Sequence, residues 1–242
     1  MKDKNPIILA LDVRDLKTGL NLLEKLDGLV QKVKVGPGLF LKEGPLLLRY
    51  LHEKGFQIFL DLKLHDIPNT VSLAVQSAQK LGVWMLSIHL SGGEKMLNQA
   101  VKTASGSPLL AGITVLTSFD DQELKTIGVS SSVAKQTEFL GKLAEKTGIQ
   151  AIVASPLEAS FLKKELGGKI MIITPGIRLL TDRRLDSVHG LPDDQARIST
   201  PLKAVQAGAD YLVIGRPVLE ASDPKAVLIS ILDGIRSMET LK

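Results

Sequence analysis

Eight short apolar runs alternate with helical segments along this chain, and the alternation constrains the fold more than any other feature. The segments between the runs place apolar residues at helical spacings, as in LKTGLNLLEKL at 16–26. Glycine or proline stands at most junctions. The runs lie at 6–13, 30–36, 56–64, 84–90, 109–116, 150–156, 169–175 and 211–217. Eight β–α alternations in 242 residues predict an α/β protein with a (β/α)₈ TIM barrel.

An open, doubly wound sheet is the competing architecture for such an alternation. The segment after the first run, LDVRDL, lacks the glycine-rich turn that usually binds a dinucleotide in that fold. No linker rich in proline, glycine or serine divides the chain. Residues 1–242 are therefore predicted to form one domain.

Composition bears on the compartment and the partners. The chain has no cysteine, which excludes disulfides and thiol catalysis and fits the reducing cytoplasm, where we expect the protein to act. No apolar stretch approaches the roughly 20 residues that span a bilayer, and residues 1–5 are not followed by a secretory signal. The net charge is +4, the basic residues are spread along the chain, and aromatic residues make up 4%. An anionic small molecule is therefore the expected partner, rather than nucleic acid or a membrane.

The decapeptide DLKLHDIPNT at 61–70 begins inside the third apolar run. Side chains two residues apart on a strand share a face, so Asp61 and Lys63 are predicted to point together into the barrel. His65 lies past the strand end and is assigned to a loop, and Asp66 and a Pro-Asn-Thr turn follow at once. Burying charges is costly unless they are paired, which indicates that a reaction needs this cluster.

Three consecutive strands are predicted to bring charged side chains together at the end of the barrel that carries the chemistry in this fold. Asp12 ends the first strand, Lys34 the second, and Asp61 and Lys63 the third. Adjacent strands lie about 4.8 Å apart, so acids and lysines can alternate in one ionic array. The acids would keep the lysines protonated. The alternative is a network that only closes the barrel, and Lys32, deeper on the same face as Lys34, is expected to be structural.

Metal binding is not expected from the distribution of ligand residues. Four scattered histidines and no cysteine give no metal-ligand spacing. Asp61 and Asp66 could hold Mg²⁺, but Lys63 between them already supplies positive charge. His89, at the end of the fourth run, is expected to form a hydrogen bond in the core, and lining of the site is its alternative role.

The last two strands are predicted to end at a phosphate site. They finish in TPGIR at 174–178 and IGRP at 214–217, where glycine lets backbone amides approach an anion. Arg216 can offer a two-pronged guanidinium to phosphate oxygens. Barrels of this kind often bind phosphate after their seventh and eighth strands.

The polar stretch 179–199 is long for a loop in a compact domain and is predicted to be a lid that grips the phosphate. Gln195 could donate its side-chain amide to the anion. Arg183 and Arg184 could also reach it, although exposure to solvent is the expectation for both.

Seven motifs occur in the order in which orotidine 5′-phosphate decarboxylases carry them, and the chain closely resembles that family over essentially its whole length. They are LALDV (9–13), VKVG (33–36), DLKLHDIPNT (61–70), LTS (116–118), TPGIR (174–178), DDQAR (193–197) and IGRP (214–217). The resemblance implies decarboxylation of orotidine 5′-phosphate to UMP in de novo pyrimidine synthesis, without a cofactor.

The same resemblance implies roles for particular residues. Lys63 would donate the proton to C6 of the pyrimidine, and Asp61 would lie beside the departing carboxylate. Lys34 and Asp12 would bind the ribose hydroxyls as part of the array. The family is homodimeric, so Asp66 and Thr70 would reach the site of the neighbouring subunit. The remaining contacts would be made to the pyrimidine edge by Thr117 and to the phosphate by Arg178, Gln195, Gly215 and Arg216.

Two other functions remain open from the sequence. One is a Mg²⁺-dependent aldolase resembling 3-hexulose-6-phosphate synthase, which has a related D-x-K-x-x-D strand. The other is a phosphate-binding barrel without catalysis. The IPNT turn and the LTS and DDQ motifs favour the decarboxylase over the aldolase, and the set of Asp61, Lys63 and Asp66 argues against binding alone.

Overall fold

The computed structural model describes residues 5–179 and 198–239, in which eight parallel strands close into a barrel in chain order. The ring is completed where β1 meets β8, with Ile8 opposite Val213. The strands are β1 (Ile7–Ala10), β2 (Lys32–Val35), β3 (Gln57–Leu64), β4 (Met85–His89), β5 (Leu109–Ile113), β6 (Ala151–Val153), β7 (Met171–Thr174) and β8 (Tyr211–Ile214). The predicted (β/α)₈ barrel is confirmed, and the open sheet was the wrong alternative.

Each strand lies within the range predicted for it, and all eight are shorter than predicted. β1 ends at Ala10 and β8 at Ile214, three residues before the predicted ends at 13 and 217. The apolar pattern continues past the hydrogen-bonded ladder because the chain still lies against the barrel there. These extra residues form the rim at the carboxyl ends of the strands, which is where Asp12 and Gly215 lie.

Helices surround the barrel and pack against the outer faces of the strands. They are α1 (Leu16–Lys25), α2 (Pro37–Glu43), α3 (Pro45–Glu53), α4 (Pro68–Lys80), α5 (Gly93–Ala104), α6 (Asp121–Thr126), α7 (Val133–Thr147), α8 (Pro156–Glu165), α9 (Pro201–Gln206), α10 (Arg216–Leu219) and α11 (Pro224–Glu239). Proline is the first residue of α2, α3, α4, α8, α9 and α11, where its missing N–H costs no helical hydrogen bond. Among the described residues, no helix has both the length and the apolar character needed to cross a bilayer.

Successive residues of each strand enter two apolar layers, because side chains alternate across a strand and both faces of a barrel strand are buried. Residues such as Val33, Leu86 and Ile172 face outward and pack against the helices. The inward-facing layer is Ile8, Ala10, Phe59, Met85, Ala111, Ala151, Ile173 and Val213. This layer fills the middle of the barrel and forms an apolar floor beneath the polar rim.

Lys32 lies at the foot of the barrel, where its side chain is only 1% exposed. Its Nζ donates a hydrogen bond to the carbonyl oxygen of Asn5 at 3.1 Å and lies 5.5 Å from the centre of the Tyr211 ring. Trp84 meets the same ring edge-on. Lys32 is thus held at the end of the barrel opposite the charged rim, which agrees with its expected structural role.

Candidate active site

The four charged residues predicted to form an array do lie together at the carboxyl ends of β1, β2 and β3. Lys34 Nζ donates to Asp12 Oδ1 at 3.1 Å and lies 3.7 Å from Asp61 Oδ2. Lys63 Nζ donates to the same Asp61 Oδ2 at 2.8 Å. Acid and base therefore alternate in the order Asp12, Lys34, Asp61, Lys63, and the two lysines share one oxygen of Asp61.

Burial decreases from the centre of the array to its ends. The side chains of Lys34 and Asp61 are 12% and 10% exposed, whereas Lys63 is 36% and Asp12 is 59% exposed. The inner pair is shielded from water, while the two ends face the opening of the barrel. A ligand that enters this opening therefore meets the Lys63 ammonium group and the Asp12 carboxylate first.

Asp61 stays ionised despite its burial. Burial raises the pKa of its carboxyl group, but Lys34 and Lys63 outweigh that effect, and hydrogen bonds from Lys63 and Ser87 add to theirs. The net result is a pKa below the ordinary value of 3.8. Among the described residues, Asp61 Oδ1 is buried without a hydrogen-bond partner, so the favourable contacts of this carboxylate converge on Oδ2.

An irregularity in β3 sets the direction of Lys63. The ladder with β4 pairs Leu60 with Leu86 and then Leu64 with Ile88, so the register shifts between these pairs. Lys63 has a φ of +50°, in the left-handed region that non-glycine residues seldom adopt. Its backbone N–H donates to Ser87 Oγ at 2.7 Å. The regular alternation predicted over residues 61–64 is therefore wrong in detail, although Asp61 and Lys63 do meet.

Ser87 is a site residue that the sequence analysis missed. It is fully buried on β4 and lies between Leu86 and Ile88, which pair with β3 on either side of the irregularity. Its place in the run, two residues after the inward-facing Met85 and two before His89, is the signal that could have identified it.

Two glycines let the rim approach the array closely. A Cβ added to Gly36 would lie 3.4 Å from both Asp12 Oδ1 and Lys34 Nζ. A Cβ added to Gly215 would lie 3.4 Å from Ala10 Cβ and 3.8 Å from Asp12 Oδ2. The end of β8, which carries the predicted phosphate residue Gly215, is therefore the direct neighbour of the end of β1.

The rim after β7 is shaped by a short pairing across the base of the predicted lid. Arg178 N–H donates to Ser199 O at 2.9 Å, and Ser199 N–H donates to Gly176 O at 3.0 Å. This pairing brings Arg178 to the rim on the β7 side, while Arg216 begins α10 directly after Gly215. Gln195, Arg183, Arg184 and most of the predicted lid at 179–199 lie outside the described residues.

Asp66 and Thr70 do not join the array within one chain. Both side chains are exposed, and Asp66 Oδ1 accepts a hydrogen bond from the Ile67 N–H at 2.6 Å. Ile67, between them in the turn, is 66% exposed. Thr117 is half-buried just beyond the end of β5, in the rim.

The histidines at the ends of β3 and β4 form a stacked pair, with ring centres 5.6 Å apart. Burial lowers the pKa of His89, and the nearby His65 and Lys63 lower it further, while Asp61 acts in the opposite sense. His89 therefore stays neutral near neutral pH. It ends β4 and stacks on His65, which follows β3, and both its expected core hydrogen bond and its alternative role of lining the site stay predictions.

The array does not fit a divalent metal. Oδ2 of Asp61 is already shared by two ammonium groups, and Asp66 is directed elsewhere. No group of three or more metal-ligating side chains occurs in the part of the chain that the structure describes.

A closed parallel barrel with an ionic array at the carboxyl ends of its strands defines the class, a (β/α)₈-barrel enzyme. Residues 5–231 match the model of the family described as "Orotidine 5'-phosphate decarboxylase / HUMPS family". The chain therefore belongs to this family.

Similar proteins agree with that assignment in sequence and in structure. The chain is 44% identical to an orotidine 5′-phosphate decarboxylase from Vibrio campbellii, over 96% of this chain and 98% of that protein. It is 41% identical to the one from Sodalis glossinidius, over 96% and 90% of the two chains. The crystal structure of orotidine 5′-phosphate decarboxylase from Lactobacillus acidophilus superposes with a TM-score of 0.81 at 33% identity, covering 96% of this chain and 99% of that one.

Proposed function

We propose that this protein decarboxylates orotidine 5′-phosphate to UMP in pyrimidine biosynthesis. The observation that carries the proposal is the Lys63 ammonium group, which is held at 2.8 Å from the buried Asp61 carboxylate at the opening of the barrel. Family membership and the named relatives support the choice of substrate.

Lys63 is the proposed electrostatic stabiliser and proton donor. Breaking the bond between C6 and the carboxylate releases CO₂ and leaves an electron pair on C6, in an orbital with little resonance relief. The Lys63 cation would stabilise this carbanion and then transfer a proton from Nζ to C6. Preorganised charge of this kind is usually the largest single contribution to catalysis.

Asp61 is proposed to act on the substrate carboxylate. Lys34 and Lys63 keep this carboxyl group ionised and hold it in place, so it presents a fixed carboxylate to a neighbouring group. A substrate carboxylate placed beside it would be repelled, and loss of CO₂ would relieve the repulsion. The distant parts of the substrate would supply the binding energy needed to hold it there.

The other array residues and the rim are proposed to bind the rest of the nucleotide. Asp12 and Lys34 can share the ribose hydroxyls, because Asp12 is the exposed end of the array. Thr117 in the rim is the proposed contact to the pyrimidine edge. The phosphate is proposed to bind beyond the ribose, between the ends of β7 and β8, through Arg178, Gly215, Arg216 and Gln195.

The functional unit is proposed to be a homodimer with shared sites. Asp66 and Thr70 are exposed at the turn that follows β3. The exposed Ile67 between them supplies an apolar contact for a second copy. The cytoplasm is the proposed compartment, as expected for an enzyme of nucleotide synthesis.

The direct test is the decrease in orotidylate absorbance catalysed by the purified protein and by Lys63→Ala. We expect the variant to lose at least about 1,000-fold in kcat, as expected for loss of both charge stabilisation and proton transfer, while its circular dichroism is unchanged. Lys80→Ala, at the exposed end of α4, makes the same chemical change outside the site and should keep full activity. Turnover by Lys63→Ala close to wild type would refute the role of Lys63.

A chelator separates this reaction from the metal-dependent aldolase. Turnover of orotidylate should be the same with and without EDTA, because the proposed chemistry uses only side chains of the protein. Loss of turnover in EDTA that added Mg²⁺ restores would instead favour the metal-dependent mechanism.

A further inference from the structure

Ser87 is a polar residue in a position where an apolar side chain could fill the space equally well. It is a fully buried polar side chain on β4, and it faces the same interior as Met85 below it. No part of the proposed reaction uses it. Its hydroxyl nevertheless accepts a hydrogen bond from the backbone of an array residue, Lys63.

The register of the ladder shows what Ser87 is opposite to. β3 pairs with β4 at Leu60 and Leu86 and next at Leu64 and Ile88. Between these two pairs, β4 has one residue, Ser87, whereas β3 has three, Asp61, Leu62 and Lys63. Such a bulge removes the regular hydrogen-bond partners of the extra residues, which must be satisfied in another way.

The Ser87 side chain supplies the hydrogen-bond acceptor that the backbone of Lys63 lacks in the bulge. The Lys63 N–H donates to Ser87 Oγ at 2.7 Å, in place of a carbonyl oxygen of the neighbouring strand. Lys63 has a φ of +50°, a conformation that persists in a non-glycine residue only where the surroundings enforce it. The contact to Ser87 is the interaction of β4 that fixes this backbone.

A serine hydroxyl can accept one hydrogen bond and donate another. While Ser87 Oγ accepts from Lys63, the hydroxyl also helps to lower the pKa of Asp61. One side chain therefore acts on the backbone of Lys63 and on the ionisation of Asp61.

We propose that Ser87 is a positioning residue, whose hydroxyl fixes the bulge in β3 so that the Lys63 ammonium group is aimed at the reaction centre. Ser87 does not touch the substrate in this account. It acts through the placement of Lys63, and the proposal therefore rests on the role of Lys63 proposed above.

The test compares Ser87→Ala with Ser72→Ala in steady-state assays of orotidylate decarboxylation. Ser72 is also buried, and its Oγ is hydrogen-bonded to Thr103 Oγ1 at 2.7 Å, but it joins α4 to α5 away from the array. Both variants thus lose a buried, hydrogen-bonded hydroxyl. We expect Ser87→Ala to lose about 10- to 100-fold in kcat, as displaced catalytic groups do, with KM little changed, and Ser72→Ala to keep wild-type kcat.

The division between kcat and KM distinguishes positioning from a general loss of structure. An unchanged kcat in folded Ser87→Ala would overturn the proposal, and so would a rise in KM alone or an equal loss of kcat in Ser72→Ala. If Ser87→Ala does not fold, Ser87→Cys replaces it, because a thiol of similar size is a much weaker acceptor and predicts the same loss of kcat.

Lys63→Ala in the same assay separates this inference from the proposed function. If Lys63→Ala is inactive while Ser87→Ala keeps its kcat, only the positioning role fails. If Lys63→Ala itself remains active, the role of Lys63 fails, and the positioning role fails with it.

Discussion

Asp61 can remain charged inside the barrel because the array around it has no excess charge. Two lysines and two aspartates alternate, and both lysines approach the same Asp61 oxygen, at 3.7 and 2.8 Å. Paired charges of this kind offset the cost of leaving water, whereas removal of one partner leaves an uncompensated charge. The array is therefore a unit, and each member should be judged by what its loss does to the others.

Asp61→Asn should change how stability depends on pH. Because the folded pKa of Asp61 lies below its ordinary value of 3.8, the ionised group stabilises the fold above that value. The stabilisation is lost as the pH falls through the folded pKa. In urea unfolding, the wild type should exceed Asp61→Asn in stability most clearly at about pH 5 and above, and the difference should shrink towards about pH 3.

Asp27→Asn serves as the control for this measurement, because Asp27 is exposed and lies outside the array. Its stability should follow that of the wild type at every pH. A gap between wild type and Asp61→Asn that stays constant over the same range would contradict the assignment of the ionised form to Asp61.

At the scale of one strand, β2 places two lysines on the same face in opposite environments. Lys32 is held at the foot of the barrel by the Asn5 carbonyl, and Lys34 lies at the rim between two carboxylates. The same residue type two positions apart therefore has a structural role at one end of the strand and a proposed binding role at the other.

The pair Lys32→Met and Lys34→Met should separate stability from activity. Lys34→Met takes the lysine away from Asp12 and leaves Asp61 with Lys63 alone, and we expect kcat/KM to fall at least about 100-fold because the proposed ribose contacts are displaced. Lys32→Met removes a buried donor and should lower the free energy of unfolding by about 1–3 kcal/mol without changing kcat. Steady-state kinetics and urea unfolding of both variants check this, and the reverse pattern would show that the two lysines have been assigned the wrong roles.

The strands could be predicted because their signal is local, whereas the bulge in β3 could not. A short apolar run bounded by glycine or proline identifies a strand from its own residues, and all eight strands were found in this way. The sequence Asp61-Leu62-Lys63-Leu64 continues its run with a strict alternation of polar and apolar residues, so it looks like a regular strand. Its departure from regularity depends on Ser87, 24 residues away, and no local pattern carries that information.

Within the candidate site too, positions set by the strands were predictable and positions set by a turn were not. The ionic array was predictable because parallel neighbouring strands bring their ends together whatever the loops do. The direction of Asp66 was not, because it follows the strand end, where the turn to α4 decides its orientation. Its side chain is exposed in one chain, and the role proposed for it needs a second chain.

At the scale of the whole molecule, a shared site predicts complementation between two inactive variants. Lys63→Ala and Asp66→Ala would be co-expressed with different tags, and the dimer that carries both tags would be purified. In a two-fold dimer with shared sites, one site of this hybrid collects both substitutions and the other collects neither. Its specific activity should therefore be about half that of the wild type.

Each variant purified alone is the control and should be nearly inactive. If the hybrid is as inactive as they are, Asp66 acts within its own subunit or not at all. If hybrid dimers cannot be recovered at any concentration, the homodimer itself is refuted.

The seam between β1 and β8 joins the first strand of the chain to the last. It also brings Gly215 close to Asp12, since a Cβ on Gly215 would lie 3.8 Å from Asp12 Oδ2. On a translating ribosome, the nascent polypeptide carries all four array residues long before the last strand emerges. It can form the proposed phosphate site only when β8 is synthesised and pairs with β1. Nucleotide binding should thus stabilise the newly closed ring, because the bound molecule would contact residues on both sides of this seam, and it should favour maturation of the enzyme over reopening of the barrel.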